Sequence, residues 1–230
     1  MKSQFWQTNV YRYIIVGCAL FLALTIAAMF FYPGGNFNED LTYGYDFFRN
    51  FFSDLGRIHV SGGRSNLTYA VLFWTGLTLA GSGLVLFFIA FRQLFRADRA
   101  GQLLSDLGSA IGVTSGLCFV GVAFTPYDLF FAAHYNLVFW AFRTFLVAVA
   151  LYTAVIYRQK AYPRRNGWVF VFFTIMLAAY LLLLEVGPEA ATPSGLIIQA
   201  TGQKVIAYVS ILSVMAQSWL VLRFRRANGV

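Results

Sequence analysis

Nine acidic side chains and two histidines, set among long apolar runs, carry most of the chemistry open to this 230-residue chain. Arg143 falls at the middle of one such run, where a cation needs an anionic or carbonyl partner because hydrocarbon cannot solvate it. Lys204, with Gln203 beside it, lies a short way inside the last run. His134 and Asn136 follow Thr125-Pro126-Tyr127-Asp128, and Glu185 ends the fifth run. Asp54 and Arg57 sit in the longest polar stretch. Asp54, Arg57, Asp128, Asn136, Arg143, Glu185 and Lys204 are read together as a ligand-binding set, with His134 and Asp54 as the candidate catalytic residues. Glu185 is the expected partner of Lys204. On a straight helix Asn136 and Arg143, seven apart, share a face with Asp128 near it, and His134 points to the opposite side.

Several chemistries are excluded. Two histidines and two cysteines cannot build a metal cage or a disulfide scaffold, so no metal or cofactor is expected. There is no GxSxG elbow, HExxH, P-loop or dinucleotide fingerprint. A retinal Schiff base at Lys204 lacks a seventh span and a mid-depth counter-ion. Whether the chain is an enzyme is left open by these residues.

What must position the set is a membrane-embedded scaffold. The chain is 59% hydrophobic and 11% charged, against about 25% charged in soluble domains. Six runs are long enough to cross roughly 30 Å of hydrocarbon: 11–32, 67–91, 102–124, 129–157, 168–187 and 196–222. They are continuous rather than alternating, which predicts an all-α, single-domain bundle of six transmembrane helices. The first run is too long for a cleavable signal and is read as a retained helix. Twelve of the 17 Lys and Arg fall on one side, including Lys2, Arg12, Arg92, Arg158, Lys160 and Arg223. By the positive-inside rule both termini are cytoplasmic, in a multi-pass protein of the cell membrane. The net charge of +8 then needs no nucleic acid. Most carboxylates, Asp40 among them, fall on the outer side.

The outer loop, 33–66, is the longest connection. Phe47, Phe48, Phe51, Phe52 and Leu55 repeat at helical spacing, which predicts a short amphipathic helix over 47–55 that covers the bundle or lies on lipid. Asp54 and Arg57 would turn toward the fourth and sixth spans. Gly108, Gly112 and Gly116 on the third span and Gly76, Ala80 and Gly83 on the second predict close packing of these two helices, or a homo-oligomer face.

Three segments, Asn50-Phe51-Phe52-Ser53-Asp54-Leu55-Gly56-Arg57, Thr125-Pro126-Tyr127-Asp128 before His134, and Gln203-Lys204, together resemble the six-span membrane proteins of the domain-of-unknown-function 998 group, related to the Frag1/DRAM/Sfk1 family. The resemblance implies a six-span fold and a role connected with lipid remodelling, lipid asymmetry or membrane trafficking. The expected function is binding of a lipid or other amphiphile in an outward-facing polar pocket, with membrane lipids as partners. Two alternatives are a small transporter or channel guiding an anion past Arg143 and Lys204, and a membrane hydrolase or transferase acting on lipid head groups with His134 as base.

Overall fold

The computed structural model describes residues 4–39, 42–159 and 162–229; Lys2, Asp40 and Lys160 lie outside the described residues. Six helices are long and apolar enough to cross a membrane, the mark of a multi-pass membrane protein. They are α1 (Val10–Phe31), α2 (Leu67–Phe91), α3 (Arg99–Ala123), α4 (Phe131–Arg158), α5 (Trp168–Val186) and α6 (Pro193–Ala227). The described residues contain no strand, only an isolated bridge between His59 and Ser65.

Local chemistry moves the helix ends from the apolar limits. The Asp98 side chain accepts from Gly101 N at 2.8 Å, starting α3 before the apolar run begins. Thr192 caps α6 in the same way from Gly195 N, with Pro193 in the first turn. In contrast, the turn at Pro126, whose carbonyl accepts from Leu129 and Phe130, delays α4 to Phe131. At about 1.5 Å per residue α6 is about 52 Å long and α5 about 28 Å.

Each helix packs on its chain neighbours, and α6 closes the ring onto α1. The core is aromatic at the end that carries the chain termini: Phe87, Phe88, Phe91, Phe95, Tyr152, Tyr162 and Phe170 are all at most 1% exposed. α2 and α3 do approach closely, through Gly81 and Gly116. A Cβ on either would come within 2.9 Å of the other's carbonyl oxygen. Of the expected second-span stripe, Gly76 instead faces Phe21 of α1, and Gly83 has nothing within 4 Å. Gly108 and Gly112 are occupied by Tyr152 and Phe88 of the same chain. The α3 stripe is spent on the fold.

The predicted amphipathic helix over 47–55 is corrected by the structure. Residues 47–49 form a turn, and Phe52–Gly56 form a short 3-10 helix. Two carboxylates break the longer helix. Asp46 Oδ1 accepts from Phe48 N and Arg49 N, and Asp54 Oδ2 accepts from Phe51 N at 2.8 Å. The aromatic face therefore splits: Phe52 and Leu55 are buried, whereas Phe47 and Phe48 are exposed.

Candidate functional site

The loop between α1 and α2 is docked into its end of the bundle, and the motif residues do the docking. The Phe52 ring packs against Phe21 of α1, Phe73 of α2 and Tyr208 of α6, with centroids 5.7–5.8 Å away. Its backbone N–H donates to Gln203 Oε1 at 2.6 Å. Trp74 Nε1 donates to Gly56 O at 3.0 Å, and a Cβ at Gly56 would meet the Phe73 ring at 2.8 Å. Asn66 Nδ2 donates to Leu55 O and Arg57 O, so this amide is engaged inside the loop. Asn50 Nδ2 and Arg64 draw the first half of the loop in, through Gly35 O, Pro33 O and Thr42 O.

The ionisable groups lie within this fastening. Asp54 is fully buried and accepts from Tyr127 Oη, from Asn50 Nδ2 at 2.9 Å and from Phe51 N. Burial pushes its carboxyl above the ordinary value, against the pull of those donors and of Arg57. Burial likewise raises the Tyr127 hydroxyl, with the Asp54 charge adding to it. Burial opposes the charge on Arg57, but Tyr127, Tyr32, Asp54 and Asp128 outweigh it and hold the guanidinium above its usual value. Arg57 lies over the Tyr127 ring at 5.3 Å. Lys204 is 0% exposed; its ammonium donates to Asn50 O and to Ala200 O, and stands over the rings of Tyr45 and Phe47. Asn50 thus bridges Lys204 and Asp54. Asp128 accepts from Ile58 N and His59 N and straps the return of the loop to the turn before α4.

Three expectations are corrected here. Glu185 is not the partner of Lys204: it pairs with Arg143, which extends over the Phe139 ring to reach it. The pair lies on the α4–α5 seam with side chains 24% and 59% exposed, so Arg143 has its carboxylate but no place in a shared site. Asn136 is exposed on the same outer side of α4, because that face of the helix turns away from the bundle. The opposition of His134 to Arg143 holds, since His134 is 8% exposed and faces inward. Its Nδ1 lies 2.6 Å from Thr125 O, a carbonyl that only accepts, so Nδ1 carries the proton.

Beneath the docked loop lies a cavity of about 100 Å³. Its walls come from every helix except α5, and Phe21, Leu77, Phe119, Phe142 and Val214 typify them. Its polar lining comes from Ser53, His134 and Gln203 at the loop end and from Ser210 further along α6. Along α4 it runs from His134 to Phe145 and along α6 from Gln203 to Val214. Eleven residues at about 1.5 Å each make it about 16 Å deep. None of Asp54, Arg57, Asp128, Arg143, Glu185 or Lys204 lines it. The residues missed by the sequence reading are Ser53, Gln203, Asn50 and Tyr127. Ser53 and Gln203 were written inside the motifs, but only the fold turns them onto one space.

Compared with family models, curated proteins and solved structures, this chain matches none.

Proposed function

We propose that this protein holds the hydrocarbon chain of a lipid or other amphiphile in the cavity under the docked loop. The observation that carries the reading is the cavity itself: about 16 Å deep by helix rise, lined mostly by apolar side chains, with Ser53, His134 and Gln203 at the loop end. At about 100 Å³ it accepts part of one chain, by comparison with a 150 Å³ engineered cavity that takes benzene. The ionic residues then serve as loop fasteners, in place of the polar pocket expected from the sequence. The resemblance to the domain-of-unknown-function 998 group and its lipid-linked relatives is part of this proposal. Anion guidance loses its motive, since Arg143 and Lys204 are apart and each is already partnered. A hydrolase with His134 as base is less favoured, because no hydrogen bond joins His134 to Ser53 among the described residues.

The test is occupancy. Native mass spectrometry of the purified protein is expected to show a retained lipid or amphiphile, and Ala207→Phe, which fills the cavity from α6, is expected to remove it. Retention unchanged by Ala207→Phe in a folded protein would reject the reading.

The orientation we propose places both termini in the cytoplasm and the docked loop outside, in the cell membrane. Its support is charge: Arg12, Arg92, Arg96, Arg99, Arg158, Arg164, Arg165, Arg223, Arg225 and Arg226 all belong to the end opposite the loop. In a variant without Cys18 and Cys118, Tyr43→Cys is expected to react with an impermeant maleimide on intact cells. Arg164→Cys is expected to react only after permeabilisation. The reverse pattern would invert the topology.

A further inference from the structure

The loop fastening engages Asp54, Asp128 and Lys204 and leaves three neutral polar side chains in the cavity lining with hydrogen-bonding capacity to spare, while a fourth, Ser210, donates to Ile206 O. Ser53 comes from the loop, His134 from α4 and Gln203 from α6. Gln203 spends Oε1 on Phe52 N, which leaves its amide N–H donors without a partner among the described residues. His134 gives Nδ1–H to Thr125 O, which leaves the lone pair of Nε2 as an acceptor in the neutral ring. The Ser53 hydroxyl, free to donate or accept, has no hydrogen bond among the described residues.

A donor, an acceptor and a hydroxyl thus line the loop end of a largely apolar cavity. We infer that the cavity selects an uncharged monoacylglycerol-type ester, with a glycerol hydroxyl shared between His134 Nε2 and the Ser53 hydroxyl and its ester carbonyl on Gln203 Nε2. This rests on the chain-binding reading above and goes further by naming the head group. A pure hydrocarbon would leave these three polar groups unpaired, and sites that hydrogen-bond a hydroxyl reject analogues lacking it for that reason. A phosphate or carboxylate fares worse. No cation lines the cavity to neutralise it, because Lys204 and Arg57 are turned into the loop.

The experiment uses the full chain in detergent micelles and two photoactivatable probes: a diazirine-bearing monoacylglycerol, and a lysophosphatidate with the same chain. Labelled peptides are mapped by mass spectrometry. The neutral probe is expected to label cavity residues of α4 or α6 saturably, and to outcompete the anionic probe by about tenfold or more. Ser53→Ala, which disturbs no hydrogen bond of the fold, is expected to weaken labelling roughly three- to tenfold. Gln203→Glu keeps an oxygen for Phe52 N but puts an anion where a donor stood, and is expected to abolish labelling by the neutral probe. Equal labelling by both probes, a preference for the anion, or labelling indifferent to Ser53→Ala would overturn the head-group assignment while leaving chain binding intact. Absence of saturable cavity labelling by either probe, together with lipid retention unaffected by Ala207→Phe, would overturn both.

Discussion

Asp54→Ala is expected to destabilise the folded protein by about 3–5 kcal/mol, since three donors lose their acceptor at roughly 1–3 kcal/mol for each one left buried and unpaired. Alanine leaves Tyr127 Oη, Asn50 Nδ2 and Phe51 N without their acceptor in a region closed to solvent. Asp54→Asn behaves differently. Its carbonyl oxygen still accepts from Asn50 and Phe51, and its amide donates to a Tyr127 hydroxyl that rotates to accept, so the cost is expected to stay within about 1 kcal/mol. The pH dependence has a definite sign. Because burial raises the folded pKa of Asp54 above 3.8, the folded state binds this proton more tightly than the unfolded state. The stability it contributes is fully present below 3.8 and is lost as pH rises through the raised folded value. Unfolding midpoints of the parent should fall across that window, and those of Asp54→Asn should lack this component. An asparagine variant as damaged as the alanine variant would show that charge, not hydrogen bonding, holds the loop.

The bundle was legible because its signal is composition: a run of twenty apolar residues has few other destinations. The loop was half legible. The spacing of Phe47 to Leu55 announces an apolar face, but Asp46 and Asp54 each offer the backbone an alternative partner, and the helix stops where they do. The need of Arg143 for an anionic or carbonyl partner is met by a carboxylate of another helix, but on the half-exposed α4–α5 seam and not inside the bundle. Which carboxylate depended on reach: Glu185, at the end of α5, lies beside α4 at the point to which Arg143 extends. Loop proximity points Glu185 at Lys204, but the partners of Lys204 are backbone carbonyls at Asn50 and Ala200, invisible to any count of charges. The cavity was illegible for a related reason. Phe21, Phe142 and Val214 read identically whether they fill a core or line a space, and only the helix separations decide between the two.

Lys204→Met is the second variant of large expected effect, with a cost of about 1.5–3 kcal/mol for the charge-assisted hydrogen bonds lost at Asn50 O and Ala200 O. Methionine nearly matches the length of the lysine stem, so the loss is electrostatic rather than one of packing. It leaves Asn50 O and Ala200 O without their ammonium donor and removes a positive charge that interacts with the Asp54 carboxylate, leaving Arg57 near it. The damage should be local to the loop. Proteolysis within 42–60 and amide exchange there are expected to rise before the helices open, because Lys204 and Gln203 grip adjacent points, at Asn50 and Phe52. In an Asp54→Asn background the same substitution strands no carboxylate and should cost less. The two changes are therefore expected to couple by about 1–3 kcal/mol in a double-mutant cycle, although no direct ion pair joins them. Asn50 carries that coupling: its carbonyl takes the Lys204 proton donor and its amide serves the Asp54 carboxylate, so each charge polarises the group that holds the other. Strict additivity would mean that the ammonium and the carboxylate anchor the loop independently. A loop as protease-resistant in Lys204→Met as in the parent would assign its docking to Phe52 and Leu55 burial alone.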